Sequence, residues 1–341
     1  MSQDNIHSTL FIGNFLSSSR KSMGPIEEVF NRLKREGFEV EACSNKESKI
    51  LRLLDILFTC IISDSKIYHI DIFSGQALYF AFIAIKIGKL KRKTIVSNFH
   101  GGRLDEVYKK GSSKLNYVIN NSDLILSPSL YLKDFFKQEG IKIKYLPNSV
   151  DLDEFKFKPQ NIDENNMRIL WVRAFTEIYN PLTAIKAIKL LKQNYKNIKL
   201  TMVGPDLGLM KDCKKLIKQL ELSEAIEITG PVDHDKLPEY FNNSHIFWNT
   251  TSYESFGLAL FEAAGSGTRI ITNAVGEISY TWKNRENALF VIENSPEEFA
   301  ERTIELIQNK NLRDRIVENA KRKVDEFSWE KIRETWIEIL N

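Results

Sequence analysis

Residues 245–272 are HIFWNTTSYESFGLALFEAAGSGTRIIT, in which an apolar run at 245–248 and a second one at 269–272 flank a helical pattern. Short runs rich in β-branched and aromatic residues, joined by a helix, are typical of neighbouring parallel strands. The stretch therefore predicts one strand–helix–strand unit. The question for the rest of the chain is whether this unit repeats.

The same alternation occurs in two series. The first has candidate strands at 7–13, 38–43, 67–70, 94–98, 124–127 and 143–146, and the second at 167–172, 198–203, 226–229, 245–248 and 269–272. Strands spaced by helices imply parallel sheets, so two series predict an α/β protein with two doubly wound domains. A polar linker at 156–166 separates the series and places the domains at 1–155 and 156–326.

The composition is that of an ordinary globular protein, with 341 residues, 43% hydrophobic and 27% charged. No apolar stretch reaches the roughly 18 residues that span a bilayer, and the N-terminus lacks the pattern of a signal peptide. Three scattered cysteines, Cys43, Cys60 and Cys213, have neither metal-ligand spacing nor an even count. A cytoplasmic protein is expected.

The small net charge hides an asymmetry. Residues 1–150 contain 22 Lys and Arg against 15 Asp and Glu, a net charge of +7, whereas the remainder contains 26 against 30. The basic excess concentrates at 86–93 and around Lys109, Lys110 and Lys114. These runs either contact an anionic membrane surface or an anionic acceptor, or are simply solvated faces. No nucleic-acid-binding motif accompanies them.

Two acidic residues, Glu254 and Glu262, flank the start of the helix predicted within 245–272, which Gly265 and Gly267 are expected to end. If 254–262 were all helical, the two carboxylates would lie about 80° apart, so Glu254 is expected to precede the helix. The predicted first turn is formed by Ser255, Phe256, Gly257 and Leu258. Its free N–H groups attract an anion, and a phosphate between two hydroxyl-binding carboxylates suits a nucleotide sugar. Alternatively, this is an ordinary crossover helix with two solvated acids.

Residues that directly follow strands are further candidates, because ligands of open α/β sheets bind beyond the carboxyl ends of the strands. Arg173 could hold a diphosphate and neutralise a leaving group, or it is a surface cation paired with Glu177. His100 could donate to a sugar hydroxyl or act as an acid or base, or it is a structural hydrogen-bonding residue. Turns at Gly13 and at Val232 could admit phosphates and a flat base, but such turns are common.

Four segments occur in a characteristic order: Asn148–Phe155, Tyr253–Glu262, Gly265–Gly276 and Phe327–Glu330. In this combination the chain resembles the retaining nucleotide-sugar glycosyltransferases of the GT-B fold, in the large family often numbered four. The resemblance covers nearly the whole chain. It implies two Rossmann-like domains facing a central cleft, an acceptor side in 1–155 and a donor side in 156–326, with a C-terminal helix at 327–341 crossing back to the first domain.

The resemblance also implies roles for the candidate residues. Glu254 would contact hydroxyls of the donor sugar, Glu262 the ribose, and His100 the C6 hydroxyl of the sugar. The remaining donor contacts would come from Arg173 and the amides of Phe256, Gly257 and Leu258 to the diphosphate, from Val232 to the base, and from Gly13, which would admit the phosphates.

Two positions depart from the family pattern. The family usually has a lysine a few residues after Arg173, whereas Tyr179 stands in its place here. Either another cation substitutes, Lys21 and Arg103 being candidates, or the enzyme is slow. Glu277 replaces the second glycine of the usual Gly-Gly pair, where it could crowd or select the donor sugar.

The predicted function is transfer of a hexosyl unit from a nucleotide diphosphate sugar to a hydroxyl acceptor, with retention of configuration. A saccharide or lipid-linked acceptor is expected, as in cell-envelope polysaccharide biosynthesis. The reaction is expected to need neither a metal nor a cofactor. An alternative is a nucleotide-sugar-binding subunit with little or no turnover. Another enzyme of the same fold, an epimerase or a phosphorylase, is a third reading.

Overall fold

The computed structural model of the chain describes residues 7–16, 24–101, 103–150 and 152–341. Contacts within it divide the chain into unit 1, formed by Met1–Ser149 with Phe327–Asn341, and unit 2, formed by Val150–Glu326. The division falls a few residues before the boundary that the polar linker suggests. Phe155 accounts for this difference, because its ring is buried in unit 2 against Phe241 at 5.9 Å.

The described part of unit 1 contains a parallel sheet of six strands in the order β2-β1-β3-β4-β5-β6. The strands are β1 (Thr9–Ile12), β2 (Val40–Cys43), β3 (Ile67–Ile72), β4 (Thr94–Phe99), β5 (Leu124–Ser127) and β6 (Lys144–Tyr145). All six residues of β3 are buried, as expected for a central strand covered on both faces. The structure extends β3 and β4 beyond the predicted runs and shortens β1, β2 and β6.

The helices of unit 1 before the linker are α1 (Pro25–Arg35), α2 (Lys49–Ile62), α3 (Gln76–Leu90), α4 (Leu104–Lys109), α5 (Ser113–Asn121) and α6 (Leu130–Gln138). Two of them begin at a serine whose hydroxyl accepts a hydrogen bond from a first-turn amide. Ser112 accepts from Leu115 at 3.3 Å, and Ser129 accepts from Leu132 at 3.2 Å. Such caps satisfy amides that lack a partner within the helix.

The described part of unit 2 contains a second parallel sheet of six strands, in the order β12-β11-β10-β7-β8-β9. The strands are β7 (Arg168–Val172), β8 (Lys199–Val203), β9 (Ile226–Gly230), β10 (Ile246–Asn249), β11 (Arg269–Asn273) and β12 (Leu289–Val291). Strand β12 was not predicted, because its three residues are too few to show a period. The strands β10 and β11, with the helix between them, form the unit that the sequence predicted.

The helices of unit 2 are α7 (Pro181–Leu191), α8 (Met210–Gln219), α9 (Leu237–Asn242), α10 (Leu258–Ser266), α11 (Ile278–Thr281), α12 (Pro296–Gln308) and α13 (Lys310–Asp325). Single 3-10 turns occur at Glu177–Tyr179 and His234–Lys236. Helix α10 is buried along almost its whole length. Its position is therefore fixed by packing on all sides, which makes its first turn a rigid platform.

The C-terminal helix α14 (Trp329–Leu340) belongs to unit 1. Trp336 packs on Phe11 of β1 and His69 of β3, with ring centroids 6.4 and 5.3 Å apart. The indole of Trp329 donates to Glu36 at 2.6 Å. The last helix therefore covers one face of the first sheet. Among the described helices, none is long and apolar enough to cross a bilayer.

Candidate active site

Arg173 lies directly after β7, at the carboxyl end of the sheet of unit 2. Its Nη2 donates to Glu254 at 2.7 Å, and its Nε donates to the side chain of Asn249 at 3.1 Å. The side chain is only 12% exposed. The alternative in which Arg173 is a surface cation paired with Glu177 is not found. Its guanidinium lies against Glu254 and Asn249 instead. The sequence did not identify Asn249, the last residue of β10.

A glycine on the neighbouring strand allows this position. Gly204 follows β8 with φ +149°, and a Cβ there would lie 1.9 Å from the carbonyl oxygen of Arg173. The amide of Arg173 also donates to Val203 at 3.0 Å. The backbone of Arg173 is therefore held by the sheet, while only its side chain reaches the site.

Glu254 precedes α10, as predicted, but the helix begins later than the sequence indicated. It starts at Leu258, and Gly257 adopts a left-handed conformation with φ +85°. Ser255, Phe256 and Gly257 therefore form the approach to the helix rather than its first turn. The amide of Ser255 donates to Glu254 at 3.2 Å, which fixes the carboxylate beside this approach.

Gly257 is required by both conformation and space. A Cβ at this position would lie 2.7 Å from Cδ1 of Leu260 and 3.2 Å from Cγ of Glu254. The left-handed conformation is itself unfavourable for residues with a side chain. Gly257 thus brings the Glu254 carboxylate close to the N-terminus of α10, where the helix dipole and the free amides favour an anion.

The far end of α10 also differs from the prediction. Gly267 ends the helix in a left-handed conformation with φ +83°, as expected for a terminal glycine. Gly265, however, lies inside the helix. A Cβ on it would approach Leu152 to 2.9 Å, so this glycine serves close packing and does not end the helix.

Tyr179, which stands where the family that the sequence resembles usually has a lysine, lies beside Arg173. The guanidinium carbon is 5.4 Å from the centroid of the tyrosine ring, a distance typical of a cation–π contact. Burial raises the pKa of the Tyr179 hydroxyl, and the nearby guanidinium acts in the opposite direction. The residue is therefore a neutral support for Arg173 and supplies no second cation.

The other predicted carboxylate, Glu262, lies in the second turn of α10 and is 4% exposed. It pairs with Nε2 of His234 at 3.0 Å. This hydrogen bond raises the pKa of His234, whose side chain is 39% exposed. His234 was missed because it was one residue in a polar turn two positions after Val232, with no periodic pattern around it.

The remaining predicted donor residues lie around the start of α10 or after β9. Phe256 is buried and stacks on Phe261 with ring centroids 4.7 Å apart, so only its backbone is available to a ligand. Leu258 is 38% exposed. Val232 is half-buried in the segment between β9 and the turn at His234–Lys236.

Glu277 does not reach outward as the sequence suggested. Its side chain is fully buried, and its carboxylate accepts a hydrogen bond from Thr281 at 3.0 Å. Its amide donates to the carbonyl of Glu254 at 3.0 Å. Gly276 brings these chains together, because a Cβ on it would lie 2.2 Å from that same carbonyl oxygen. Glu277 thus holds the backbone of Glu254 in place.

A second constellation lies in unit 1, at the carboxyl ends of β1, β3 and β4. Nε2 of His100 pairs with Oδ1 of Asp71 at 2.7 Å, and both side chains are almost fully buried. The imidazole stacks on Phe73 at 5.1 Å. A Cβ on Gly13 would lie 3.2 Å from Oδ2 of Asp71. The sequence predicted His100 and Gly13, but not Asp71, which the structure places within β3, one residue beyond the predicted strand at 67–70.

A cavity of about 290 Å³ adjoins this constellation within unit 1. It is lined by Gly13, Asn14 and Asp71, by Lys49, Arg52 and Ile56 of α2, and by Phe73, Ala77, Phe80 and Ala81 on or before α3. Arg52 donates to the side chain of Asn14 at 2.8 Å. The cavity thus combines an apolar wall with two basic residues and two acidic ones, Glu47 and Asp71.

The two candidate substitutes for the missing lysine are Arg103 and Lys21. Arg103 lies in unit 1, where its guanidinium is 3.5 Å from Glu106. Lys21 lies outside the described residues, as does Gly102, the neighbour of His100 in the sequence.

Asp233 and Asp235 have an Asp-x-Asp spacing around His234, but the described residues contain no group of three His, Cys, Asp or Glu arranged to hold a metal. Metal independence stays a prediction.

Comparison with known proteins identifies the family of this site. The sequence model of the family described as glycosyl transferases group 1 matches residues 153–323, half of the chain, and these residues include Arg173, Glu254 and Glu262. The chain belongs to this glycosyltransferase family. Both carboxylates and the arginine thus lie in the segment by which the family is defined.

Relatives and solved structures agree with this assignment. An uncharacterized glycosyltransferase of Methanocaldococcus jannaschii is 23% identical over 275 residues, which are 74% of this chain and 70% of that protein. A D-inositol 3-phosphate glycosyltransferase of Corynebacterium urealyticum is 20% identical over 65% of this chain and 57% of its own length.

HepE of Anabaena, in complex with UDP, superposes with a TM-score of 0.74 at 16% identity, over 98% of this chain and 99% of HepE. Sucrose-phosphate synthase from Thermosynechococcus elongatus gives 0.75 at 15% identity, over 97% of each chain. At these identities the likeness establishes the fold alone. It confirms the predicted GT-B class.

Proposed function

We propose that this glycosyltransferase moves a hexosyl unit from a nucleotide diphosphate sugar to a hydroxyl acceptor and retains the anomeric configuration. The observation that carries the proposal is the ion pair of Arg173 and Glu254 beside the N-terminus of α10. It places a cation, a carboxylate and free helix amides together in unit 2. An anion with an attached polyol is the ligand chemistry that these three groups share.

The diphosphate would bind between Arg173 and the start of α10. A guanidinium has five N–H donors, and two of them are used by Glu254 and Asn249. The others remain for phosphate oxygens, together with the amides of Gly257 and Leu258. Arg173 would then stabilise the charge that develops on the leaving diphosphate, in the way that fixed donors stabilise an oxyanion.

The two carboxylates would hold the two sugars of the donor. Each ionised carboxylate can accept about four hydrogen bonds, and Glu254 uses one oxygen for Arg173 and the other for the amide of Ser255. Acceptor sites therefore remain for hydroxyls of the transferred sugar. Glu262, oriented by His234, would accept from the ribose, and Val232 would contact the base.

The reaction would need no protein nucleophile. The leaving phosphate takes the proton of the acceptor hydroxyl on the face that it departs from, and the new glycosidic bond forms on that same face. His100, fixed by Asp71, would position the sugar through its C6 hydroxyl. Neither a metal nor a cofactor enters these steps.

The acceptor would bind in the cavity of unit 1. Lys49 and Arg52 suit an anionic group, and the wall of Ile56, Phe80 and Ala81 suits an apolar one. A saccharide linked to a lipid through phosphate has both parts, as in the synthesis of a cell-envelope polysaccharide. Such an acceptor places the enzyme on the cytoplasmic side of an anionic membrane, in peripheral contact with it.

The names of structural neighbours support a nucleotide-sugar donor. HepE is seen with UDP and glucose, and TarM of Staphylococcus aureus with UDP and α-GlcNAc-glycerol. Both complexes pair a uridine nucleotide with a sugar. UDP-hexoses are therefore the first donors to test.

The test is turnover with defined donors. Purified protein is incubated with UDP, GDP and ADP hexoses and with saccharide or lipid-linked acceptors, released nucleotide is measured, and the anomeric configuration of the product is read by NMR. Glu254→Gln is expected to reduce release about 100-fold. Glu227→Gln, an exposed carboxylate change in the same unit, serves as the control. Full turnover of Glu254→Gln, or an inverted product, would refute the proposal.

Tyr179 motivates one alternative, a donor-binding subunit with little or no turnover. In that case the donor would still raise the melting temperature, because the Arg173–Glu254 pair and the helix amides are intact. Nucleotide release would remain at the background level with every acceptor. The same incubation therefore separates the two functions.

A further inference from the structure

Helix α2 of unit 1 carries its large apolar side chains on the outside. Six of them are between 55 and 73% exposed, namely Ile50, Leu51, Leu54, Phe58, Ile61 and Ile62. They make up half of the exposed large apolar side chains in the described part of the chain. An exposed apolar face of this size is unusual on a soluble surface and marks a contact site. We call these six residues the α2 face.

The α2 face forms one continuous stripe. Ile50, Leu54, Phe58 and Ile61 follow one another at intervals of four, four and three residues, which places them along one side of a helix. Leu51 and Ile62 adjoin the two ends of this row. The opposite side holds Ile56 and Cys60, which are buried in the core of unit 1.

The helix is firmly attached, so the exposed face is not a sign of a loose segment. Nζ of Lys91 donates to the carbonyl oxygens of Cys60, Ile61 and Ser63, at 3.3, 2.6 and 2.7 Å. These bonds satisfy carbonyls at the end of the helix that have no partner within it. The stripe is therefore presented outward on a fixed support.

Basic residues lie near both ends of the α2 face. Lys46, Lys49 and Arg52 lie at its start, and Lys91 and Lys93 lie at its end, where Nζ of Lys93 donates to the carbonyl of Asp64. Over residues 46–93 the chain has nine Lys and Arg against four Asp and Glu, one of which, Asp71, is buried. Basic residues thus outnumber acidic ones at the margins of the stripe, where Glu47, Asp55 and Asp64 also lie.

We propose that the α2 face inserts into the interfacial region of an anionic lipid bilayer. An apolar stripe parallel to the surface, with cations at its margins, provides the two contributions that anchor a peripheral helix: burial among acyl chains and attraction to anionic headgroups. The basic margin favours a lipid surface over a second copy of the chain, whose own α2 face would bring like charges together.

The inference refines the membrane contact of the proposed function. The basic runs pointed to residues 86–93 and 109–114, whereas the structure adds an apolar stripe that neither run contains. Lys49, Arg52 and Ile56 belong to α2 and also line the cavity assigned to the acceptor. A lipid-linked acceptor could therefore pass from the bilayer into the cavity along the helix that rests on it.

The experiment is sedimentation of the full chain with vesicles, without donor or acceptor. Vesicles of phosphatidylcholine with about 30 mol% phosphatidylglycerol are compared with pure phosphatidylcholine. Strong binding is expected only to the anionic vesicles, and it should weaken as NaCl is raised from about 0.1 to about 0.5 M. The double variant Leu54→Ser/Phe58→Ser should lose about tenfold in affinity or more.

The matched control is Leu207→Ser/Ile292→Ser, which removes two side chains of similar exposure, 65 and 70%, from unit 2. It should bind like the wild type, and both variants should melt like the wild type and transfer sugar to a water-soluble acceptor. That last measurement separates a failure of the membrane proposal from a failure of the proposed function. Unchanged binding of the α2 variant, or a concentration-dependent dimer that only this variant abolishes, would overturn the proposal.

Discussion

Each unit of the molecule places a nitrogen-bearing side chain beside a carboxylate at the carboxyl edge of its parallel sheet. In unit 1, His100 pairs with Asp71 at 2.7 Å, and in unit 2, Arg173 pairs with Glu254 at the same distance. The partners of each pair lie at the ends of different strands, so the sheets bring them together in the same way. The residue types, however, give the two pairs different capacities.

The two pairs differ in whether the charge of the nitrogen-bearing side chain depends on pH. An arginine stays charged at every pH at which the protein is folded, whereas an imidazole can gain or lose a proton. Arg173 is further held by Asn249 and supported by the ring of Tyr179, while His100 lies flat against Phe73. The pair of unit 2 is therefore suited to a fixed charge in the transition state, and the pair of unit 1 to orienting a neutral donor or acceptor.

The substitution Arg173→Lys tests this difference between the two pairs most severely. The variant keeps the charge but loses the forked geometry that serves Glu254, Asn249 and a phosphate together, so kcat should fall about 100- to 1000-fold, or roughly 3–4 kcal/mol. Single-turnover nucleotide release measures the effect. Arg315→Lys, an exposed arginine in unit 2, is the control. A rise in KM with kcat unchanged would show that Arg173 binds the donor without stabilising the leaving group.

A second prediction concerns His69, which lies two residues before Asp71 but behaves differently from His100. It is fully buried between Phe11 and Trp336, and neither ring nitrogen has a hydrogen-bond partner among the described residues. Burial lowers its pKa from 6.5 to about 4. The nearby Asp71 raises this pKa, and His100 lowers it. The folded protein therefore holds this ring neutral.

The sign follows from proton binding. Between pH 6.5 and about 4 the unfolded chain binds the proton that the folded chain refuses, so stability falls as the pH is lowered through this range. The loss from His69 should approach about 3 kcal/mol. Urea unfolding is followed by tryptophan fluorescence. Over this pH range the free energy of unfolding of His69→Phe should fall by about 3 kcal/mol less than that of the wild type. His245, with a pKa also lowered to about 4, should keep part of the slope in both proteins. Identical slopes would contradict the prediction.

The third prediction tests the pair of unit 1. Asp71→Asn keeps the size of the side chain but removes the charge that holds Nε2 of His100, so kcat should fall about tenfold through loss of orientation. Donor affinity should fall less than kcat, since His100 would make one donor contact, to the C6 hydroxyl, whereas the contacts proposed for Arg173 and Glu254 lie in unit 2. Glu139→Gln, an exposed change in unit 1, is the control. A lowered melting temperature with kcat unchanged would show that Asp71 acts on the folding of the unit and not on turnover.

These pairs also show how much of the fold and of the site the sequence could predict. Hydrophobic period located most strands, and strand ends pointed to Arg173 and His100, because in parallel sheets the position along the chain fixes the edge. Their partners Asn249 and Asp71 were not found, since which strand ends meet depends on sheet order. Strand β12 and the later start of α10 were missed for a local reason: three residues show no period, and the left-handed Gly257 is decided by packing.

The smallest expected effect concerns Tyr179, the residue by which the chain departs from the family pattern. Its ring supports the guanidinium at 5.4 Å, and its hydroxyl bonds to no described side chain. Tyr179→Phe should therefore retain activity, whereas Tyr179→Ala should lose the cation–π contact, about 0.5–1 kcal/mol or two- to fivefold in kcat. Steady-state nucleotide release distinguishes these values. If Phe and Ala were equally harmful, the hydroxyl would be acting on the substrate, and Tyr179 would have to be regarded as a polar replacement for the missing lysine rather than as the support of Arg173.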